Sequence, residues 1–284
     1  MKLSSVTLHC IVNDDAPQDA GLQAEHGVAF LIETPTQKLL FDTGQSGEAL
    51  LQNAQAMGLH LDQVDALALS HAHYDHTGGL KALMGQVRPD LPLYANTDLF
   101  RPRFARRSRE RRSIGLEVPQ QTLAEKFTLY LSAAPVAIFP GVWTSGEITG
   151  RTRFEGRSAH HGILVDGHWQ PDPYRDDLSL VIEHAGGLIL VCGCCHAGLL
   201  NTLAHVRRMF PGEHVLAIVG GAHLGNATPE MLEETVAALR SLNSPAVPRL
   251  YLNHCTGQAA LQALAQAFGE RVSPCPAGTV LSFA

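Results

Sequence analysis

The sequence predicts an α/β protein, on three observations. Apolar runs of strand length alternate with segments of helical periodicity along most of the chain. Those runs stop abruptly at turns rich in glycine, histidine and aspartate. Three successive strand–helix units toward the C-terminal end each set a histidine at the carboxyl end of the strand: His196, His223 and His254. Strand ends on one edge of a sheet converge in space, and layered α/β proteins build their sites there, so three histidines in one repeated setting point to one place.

Composition fits a soluble globular chain with a full-sized core. The 284 residues are 45% hydrophobic and 17% charged, a length that allows one or two domains. The expectation is a single domain over 1–284 with an Arg-rich lid or substrate-selecting insertion around 97–175. A formal charge of -6 and an isoelectric point near 6.2 argue against a general affinity for nucleic acid or an anionic membrane. The opening residues lack the segments of a signal peptide, and no apolar run approaches the ~20 residues of a transmembrane helix, which makes the cytoplasm the expected compartment. Cys10, Cys192, Cys194, Cys195, Cys255 and Cys275 are too few and too unevenly placed for a disulfide framework. Three of them crowd beside His196, where soft ligation of a metal stays open.

In chain order, residues 3–10 read as an opening strand, and 26–33 with 38–41 as a hairpin around Pro35. Residues 48–57 read as a helix stopped by Gly58, 66–69 as a short buried strand, 80–84 as helix and 91–95 as another strand. The run from 101 to 112 then holds seven arginines (Arg101, Arg103, Arg106, Arg107, Arg109, Arg111, Arg112) and one glutamate. Three readings compete: a solvated, charge-rich helix or loop; guanidinium forks gathered near the site to hold phosphate or carboxylate, with Arg106 and Arg107 as candidates; and RNA contact, which the scarcity of aromatic residues disfavours. Residues 120–173 read as short strands and turns, including 142–147 and 163–170, and lids and selectivity reside in such long connections. Residues 178–183 and 188–192 form a hairpin around Ala185-Gly186-Gly187. A helix over 199–210, a strand over 214–219, a helix over 229–242 opened by Pro229, a strand over 249–253 and a helix over 258–268 follow.

The densest chemistry is His71-Ala72-His73-Tyr74-Asp75-His76, directly after an apolar run and before Thr77-Gly78-Gly79. Imidazole and carboxylate are the donors that zinc and borderline first-row metals prefer. His71 and His73, two apart, share a face of extended backbone and can pinch one ion. Asp75 and His76 follow where the extended pattern breaks, so they point elsewhere and can hold a second. Asp42 closes the strand before Thr43-Gly44; it is placed either to accept a hydrogen bond from a metal-bound histidine or to cap a turn. His26, after Glu25, can line a substrate pocket or serve its own turn.

These residues resemble the H-x-H-x-D-H signature of the metallo-β-lactamase superfamily, and Phe41-Asp42-Thr43-Gly44 is similar to its first motif. Gly193-Cys194-Cys195-His196-Ala197-Gly198 and His254-Cys255-Thr256-Gly257 resemble more narrowly a subgroup labelled dihydropterin ribofuranosyl-aminobenzene phosphate synthase-like. The resemblance implies an αββα sandwich of two mixed β-sheets with helices on the outer faces. It implies zinc, one or two ions, with iron or manganese as options: His71, His73 and His196 hold one ion, Asp75, His76 and His254 the other, and Asp42 orients them. The superfamily normally carries an aspartate where Cys194 stands. A thiolate bridge, a ligand set completed by His196 and a mononuclear site are all open. The implied activity is hydrolysis by metal-activated water of a phosphorylated or otherwise anionic small molecule, with Asp75 and His223 catalytic and His26, Arg106 and Arg107 toward substrate. The alternatives are a pterin-phosphate synthase-like enzyme, a non-catalytic metal-containing small-molecule binding protein, and an iron-based redox role.

Overall fold

Residues 66–69, Ala-Leu-Ala-Leu, carry no polar side chain because their strand is covered on both faces. Leu67 and Leu69 join a core with Ala49, Leu50, Leu80, Leu83 and Leu123, which belong to helices Glu48–Ala56, Leu80–Leu83 and Gln120–Lys126. Ala66 and Ala68 join a second core with Leu180, Ile182, Ile189 and Val191 of the facing sheet. In that sheet Leu190 and Cys192 turn the other way, into a third core with residues of helices Leu199–Met209, Pro229–Ser241 and Gln258–Phe268. Period-two alternation thus distributes nearly continuous apolar strands between two layers each, and three cores separate four layers: helices, sheet, sheet, helices. This is the αββα sandwich.

The coordinates are a computed structural model that describes residues 2–107, 110–151, 155–242 and 246–284. One seven-stranded sheet runs Val280–Phe283, Val6–Val12, Ala29–Glu33, Lys38–Phe41, Ala66–Ala68, Leu91–Ala95, Phe127–Leu131. The other runs Val272–Pro274, Arg249–Asn253, Val215–Gly221, Gly187–Cys192, Ser179–His184, Val142–Thr144, Val136–Phe139. Each is mixed. Strands Lys38–Phe41, Ala66–Ala68 and Leu91–Ala95 are mutually parallel in the first, and Gly187–Cys192, Val215–Gly221 and Arg249–Asn253 in the second, so their carboxyl ends emerge along one edge. Among the described residues no helix is long and apolar enough to cross a membrane, and all six cysteines are unpaired.

The arginine run departs from the expected helix or loop. It forms an antiparallel hairpin, Phe104–Arg107 with Glu110–Ser113, whose first strand pairs in turn with His161–Val165, and that strand with His168–Pro171. The ladder partner lies nearly sixty residues away, beyond the reach of any local pattern. The Arg106 guanidinium sits 4.7 Å over the Trp169 ring, a cation–π seat rather than a position at the site. Arg109 and the Arg107 side chain lie outside the described residues. Residues 120–126, expected to be extended, are helical, with Leu123 buried below them.

Arg103 ties this small sheet to the body of the protein. Its guanidinium, fully buried, lies 2.7 Å from Asp176, 2.8 Å from Asp98 and 3.1 Å from Asp172. Removing one partner from a buried ionic cluster strands the others. The variant R103M is therefore expected to lose about 3–5 kcal/mol of stability, read as a lower denaturant midpoint.

Candidate metal centre

The parallel strand Ala66–Ala68 carries Ser70, His71 and His73 to the sheet edge, and the one-turn helix Tyr74–Thr77 then swings Asp75 and His76 to the side. From the facing sheet, the ends of Gly187–Cys192, Val215–Gly221 and Arg249–Asn253 deliver Cys194 with His196, His223 and His254. The two edges meet closely over Gly193: a Cβ there would stand 2.2 Å from Ser70 Oγ and 2.9 Å from an Asp42 carboxylate oxygen. Asp42, Tyr174, Cys195, His223 and His254 all hold φ between 47° and 61°. Non-glycine residues adopt this region at a cost of about 1–3 kcal/mol each, and such strain gathers at functional sites.

Two donor sets result. One nitrogen each of His71, His73 and His196 lies within 4.8 Å of the others, with His73 Nδ1 and His196 Nε2 3.0 Å apart. His71 Nδ1 meets the Ser70 hydroxyl at 2.8 Å, while its buried Nε2 has no hydrogen-bond partner. The second set is Asp75, His76, Cys194 and His254. His76 Nε2 lies 3.1 Å from Cys194 Sγ, and an Asp75 oxygen lies 3.6 Å from His76 Nε2 and 3.3 Å from His254 Nε2.

Carboxylates stand behind these rings. Asp42 accepts from the Ser70 N–H and the Ser70 hydroxyl and contacts His76 Nδ1, each at 2.7 Å. Asp14 lies 2.6 Å from His254 Nδ1 and 3.1 Å from His26 Nδ1. A carboxylate on one ring nitrogen fixes the tautomer and turns the other nitrogen's lone pair inward, the arrangement found around metal-ligating histidines. Burial, reinforced by neighbouring histidines, holds His71 and His196 well below the usual imidazole range, and burial does the same to His73 against the pull of Asp75. These rings are neutral, the form that binds metal. Burial alone would raise Asp75, but His76 and the contact from His254 hold it well below the usual carboxylate range. Neutral imidazoles, an ionised carboxylate and an orphaned ring nitrogen fit a metal centre.

Asp176 and Asp177 brace both ligand loops from adjacent positions. Asp176 accepts the N–H of Ala72, between His71 and His73, at 2.8 Å; Asp177 accepts the N–H of Ala197, next to His196, at 2.7 Å. Burial pushes Asp176 up to about 7 and Asp177 up to about 6, against Arg103 for the first and the Ala197 N–H for the second. The Tyr174 ring stacks on His196 at 4.6 Å, and its hydroxyl meets His161 Nδ1 at 2.9 Å. Burial lowers His161 to about 4.

A cavity of about 210 Å³ opens above the donors, lined by His26, Tyr74, Arg112, His161, His223 and Cys255 among others. His26, half exposed, lies 3.5 Å from Asp75. Arg112, not Arg106, reaches this cavity, its guanidinium 5.4 Å over the Tyr74 ring. Sequence reasoning missed Ser70, Asp14, Tyr174, Asp176 and Asp177; it named Arg112 only as one of the arginine run and gave His161 no role of its own. The Asp176-Asp177 pair did leave a trace, two acids just before the strand Ser179–His184; Tyr174 left none.

The sequence profile of the Metallo-beta-lactamase superfamily matches residues 22–198. The chain belongs to that superfamily. It is similar to a Methanocaldococcus jannaschii protein named 7,8-dihydropterin-6-methyl-4-(beta-D-ribofuranosyl)-aminobenzene-5'-phosphate synthase, at 29% identity over 99% of this chain and 98% of that one. An uncharacterized protein of the same organism is 28% identical over 86% and 88% of the two chains. The solved structure of Tm1679, described as a metal-dependent hydrolase of the beta-lactamase superfamily, superposes with a TM-score of 0.80 at 24% identity, covering 97% of this chain and 98% of that one. The metallo-beta-lactamase fold protein YhfI from Bacillus subtilis gives a TM-score of 0.61 at 11% identity, covering 99% and 100%. These two structures share the fold. Metallo-beta-lactamase superfamily members typically bind metal ions, and the two donor sets are the candidates in this one.

The variant D42N preserves shape but removes the charge behind His76 and Ser70. It is expected to weaken divalent-ion binding about 10–100-fold, measured by competition with a chromogenic chelator.

Proposed function

We propose that the protein is a metal-dependent hydrolase acting on a phosphorylated or otherwise anionic small molecule. What carries this reading is the pair of adjoining donor sets at the floor of one cavity, with His76 Nε2 and Cys194 Sγ only 3.1 Å apart in the second set. His71, His73 and His196 would hold one ion, and Asp75, His76 and His254, with Cys194 beside them, another. Zinc suits the mixture of imidazole, carboxylate and thiol best; iron and manganese suit parts of it. An ion bound there supplies Lewis acidity and lowers the pKa of water from 15.7 toward about 7.

The chain's own residues do the rest. Ser70 and Asp42 hold the His71 and His76 rings in register, and Asp14 does so for His254. Asp75, kept ionised, offers a carboxylate oxygen as proton acceptor at the cavity floor. Arg112 is the one arginine among the described residues lining this cavity; its planar fork suits a phosphoryl or carboxylate group. His26 adds a ring N–H at the rim.

The full-length similarity to the Methanocaldococcus synthase favours a second reading, joining chemistry on a pterin phosphate. Incubation with a dihydropterin diphosphate separates the two. A free pterin alcohol and released diphosphate support hydrolysis; a pterin joined to an added ribofuranosyl-aminobenzene phosphate supports the synthase.

The central test is metal content with turnover. Wild type is expected to carry zinc, iron or manganese, and H71A and H196A to lose ion and more than about 100-fold in turnover. Protein with less than about a tenth of an equivalent of metal, and no activity after metal addition, overturns the reading. For the anion, R112A is expected to raise KM about 10–100-fold with kcat little changed.

A further inference from the structure

Four of the six cysteines are occupied away from the cavity above the donors. Cys195 Sγ lies 3.4 Å from the Thr202 hydroxyl, Cys192 receives the Ser179 hydroxyl at 3.5 Å, and Cys10 Sγ points at the carbonyl of Cys275, which is itself buried in the core between the two sheets. Cys194 and Cys255 alone among the cysteines line the cavity above the histidines. Their sulfurs and a ring nitrogen of His223 lie within 4.8 Å of one another. This is a third donor set, and it shares Cys194 with the set of Asp75, His76 and His254.

Independent features build the same place. His223 Nδ1 is buried without a hydrogen-bond partner, and His223 and His254, the residue before Cys255, each hold a φ of 49°. Gly221 lets Cys255 in: a Cβ there would stand 2.7 Å from its sulfur. The Cys255 thiol donates to the Cys194 carbonyl at 3.3 Å. Three protein ligands of the Cys₂His type leave a fourth coordination position open, and thiolates select thiophilic ions.

We propose that Cys194, His223 and Cys255 form a thiolate-rich position for a thiophilic divalent ion such as zinc, with the Cys194 sulfur bridging to the ion held by Asp75, His76 and His254. On binding, each thiol gives up one proton to solvent and its sulfur lone pair to the metal. His223 is then a ligand rather than the catalytic residue expected from sequence. The proposal rests on the metal-centre reading above and is separable from it, because sulfur ligation has its own signature.

The experiment loads wild type, C194S, C255S and H223A with cobalt(II) in place of the native ion and records the near-ultraviolet sulfur-to-cobalt charge-transfer band, with X-ray absorption of the zinc-loaded wild type alongside. Wild type is expected to show the band and zinc–sulfur scattering at about 2.3 Å. C255S and H223A are each expected to lower the band about twofold or more while cobalt on His71, His73 and His196 remains. Bound metal with no sulfur band and no sulfur scattering overturns the proposal and leaves the metal centre standing. A band lost in C194S but unchanged in C255S and H223A also overturns it, placing Cys194 in the second donor set alone. Absence of any bound metal overturns both readings. Because the wild-type spectra need no mutant, a variant that fails to fold does not shield the proposal.

Discussion

The site depends first on one buried carboxylate. Asp42 is fully excluded from solvent and sits at a φ of 61°, where an aspartate stays only if its surroundings hold it. Its oxygens take the Ser70 N–H, the Ser70 hydroxyl and His76 Nδ1, all at 2.7 Å. A charge buried this deeply would be prohibitive without such partners, so the same contacts that make Asp42 tolerable also fix the two rings it serves. Gly193 then brings the second sheet's edge against this cluster. A side chain there would push Cys194 and His196 away from His71, His73 and His76. The close approach of the two sheet edges here, with donors converging from four strand ends, needs the absent side chain at that contact.

The device is repeated. Asp14 stands behind His254, Asp176 behind the turn between His71 and His73, and Asp177 behind the turn after His196. Each acid holds a different loop, and Arg103 brings a cation to Asp176 from the root of the small sheet. The small sheet is therefore coupled to the loop that carries the donors through one buried guanidinium, not through apolar packing alone. A change at Arg103 would reach His71 and His73 by way of Asp176 and the Ala72 N–H.

The layers and the donor-bearing turns were legible because their signals are local. A strand buried on both faces writes an unbroken apolar run, and an end on the active edge writes a polar break after it; residues 66–76, 187–196 and 249–254 all do both. What supports the donors was not legible, since its partners are distant. Ala72 and Asp176 are 104 positions apart, and His254 and Asp14 are 240. The arginine run was misread for the same reason: charge density suggested a solvated helix or loop, whereas a cross-sheet ladder and the Trp169 ring decide its conformation. The strands Val272–Pro274 and Val280–Phe283, short edge pieces, wrote no pattern of their own.

Donor chemistry differs from set to set on the cavity floor. One set holds three imidazoles; the second, two imidazoles, a carboxylate and the Cys194 thiol; the third, two thiols and His223, whose ring lies 4.3 Å from that of His196. Softness increases from the first set to the third, and binding preference follows softness and geometry more than overall affinity. His223 and Cys255, together with His196, also border a second cavity of about 730 Å³ that reaches Glu155 and Met231, while Arg112 stands over the smaller one. An anionic group drawn to Arg112 and a bulkier remainder seated beside His223 would span both cavities, which share His196, His223 and Cys255 in their walls.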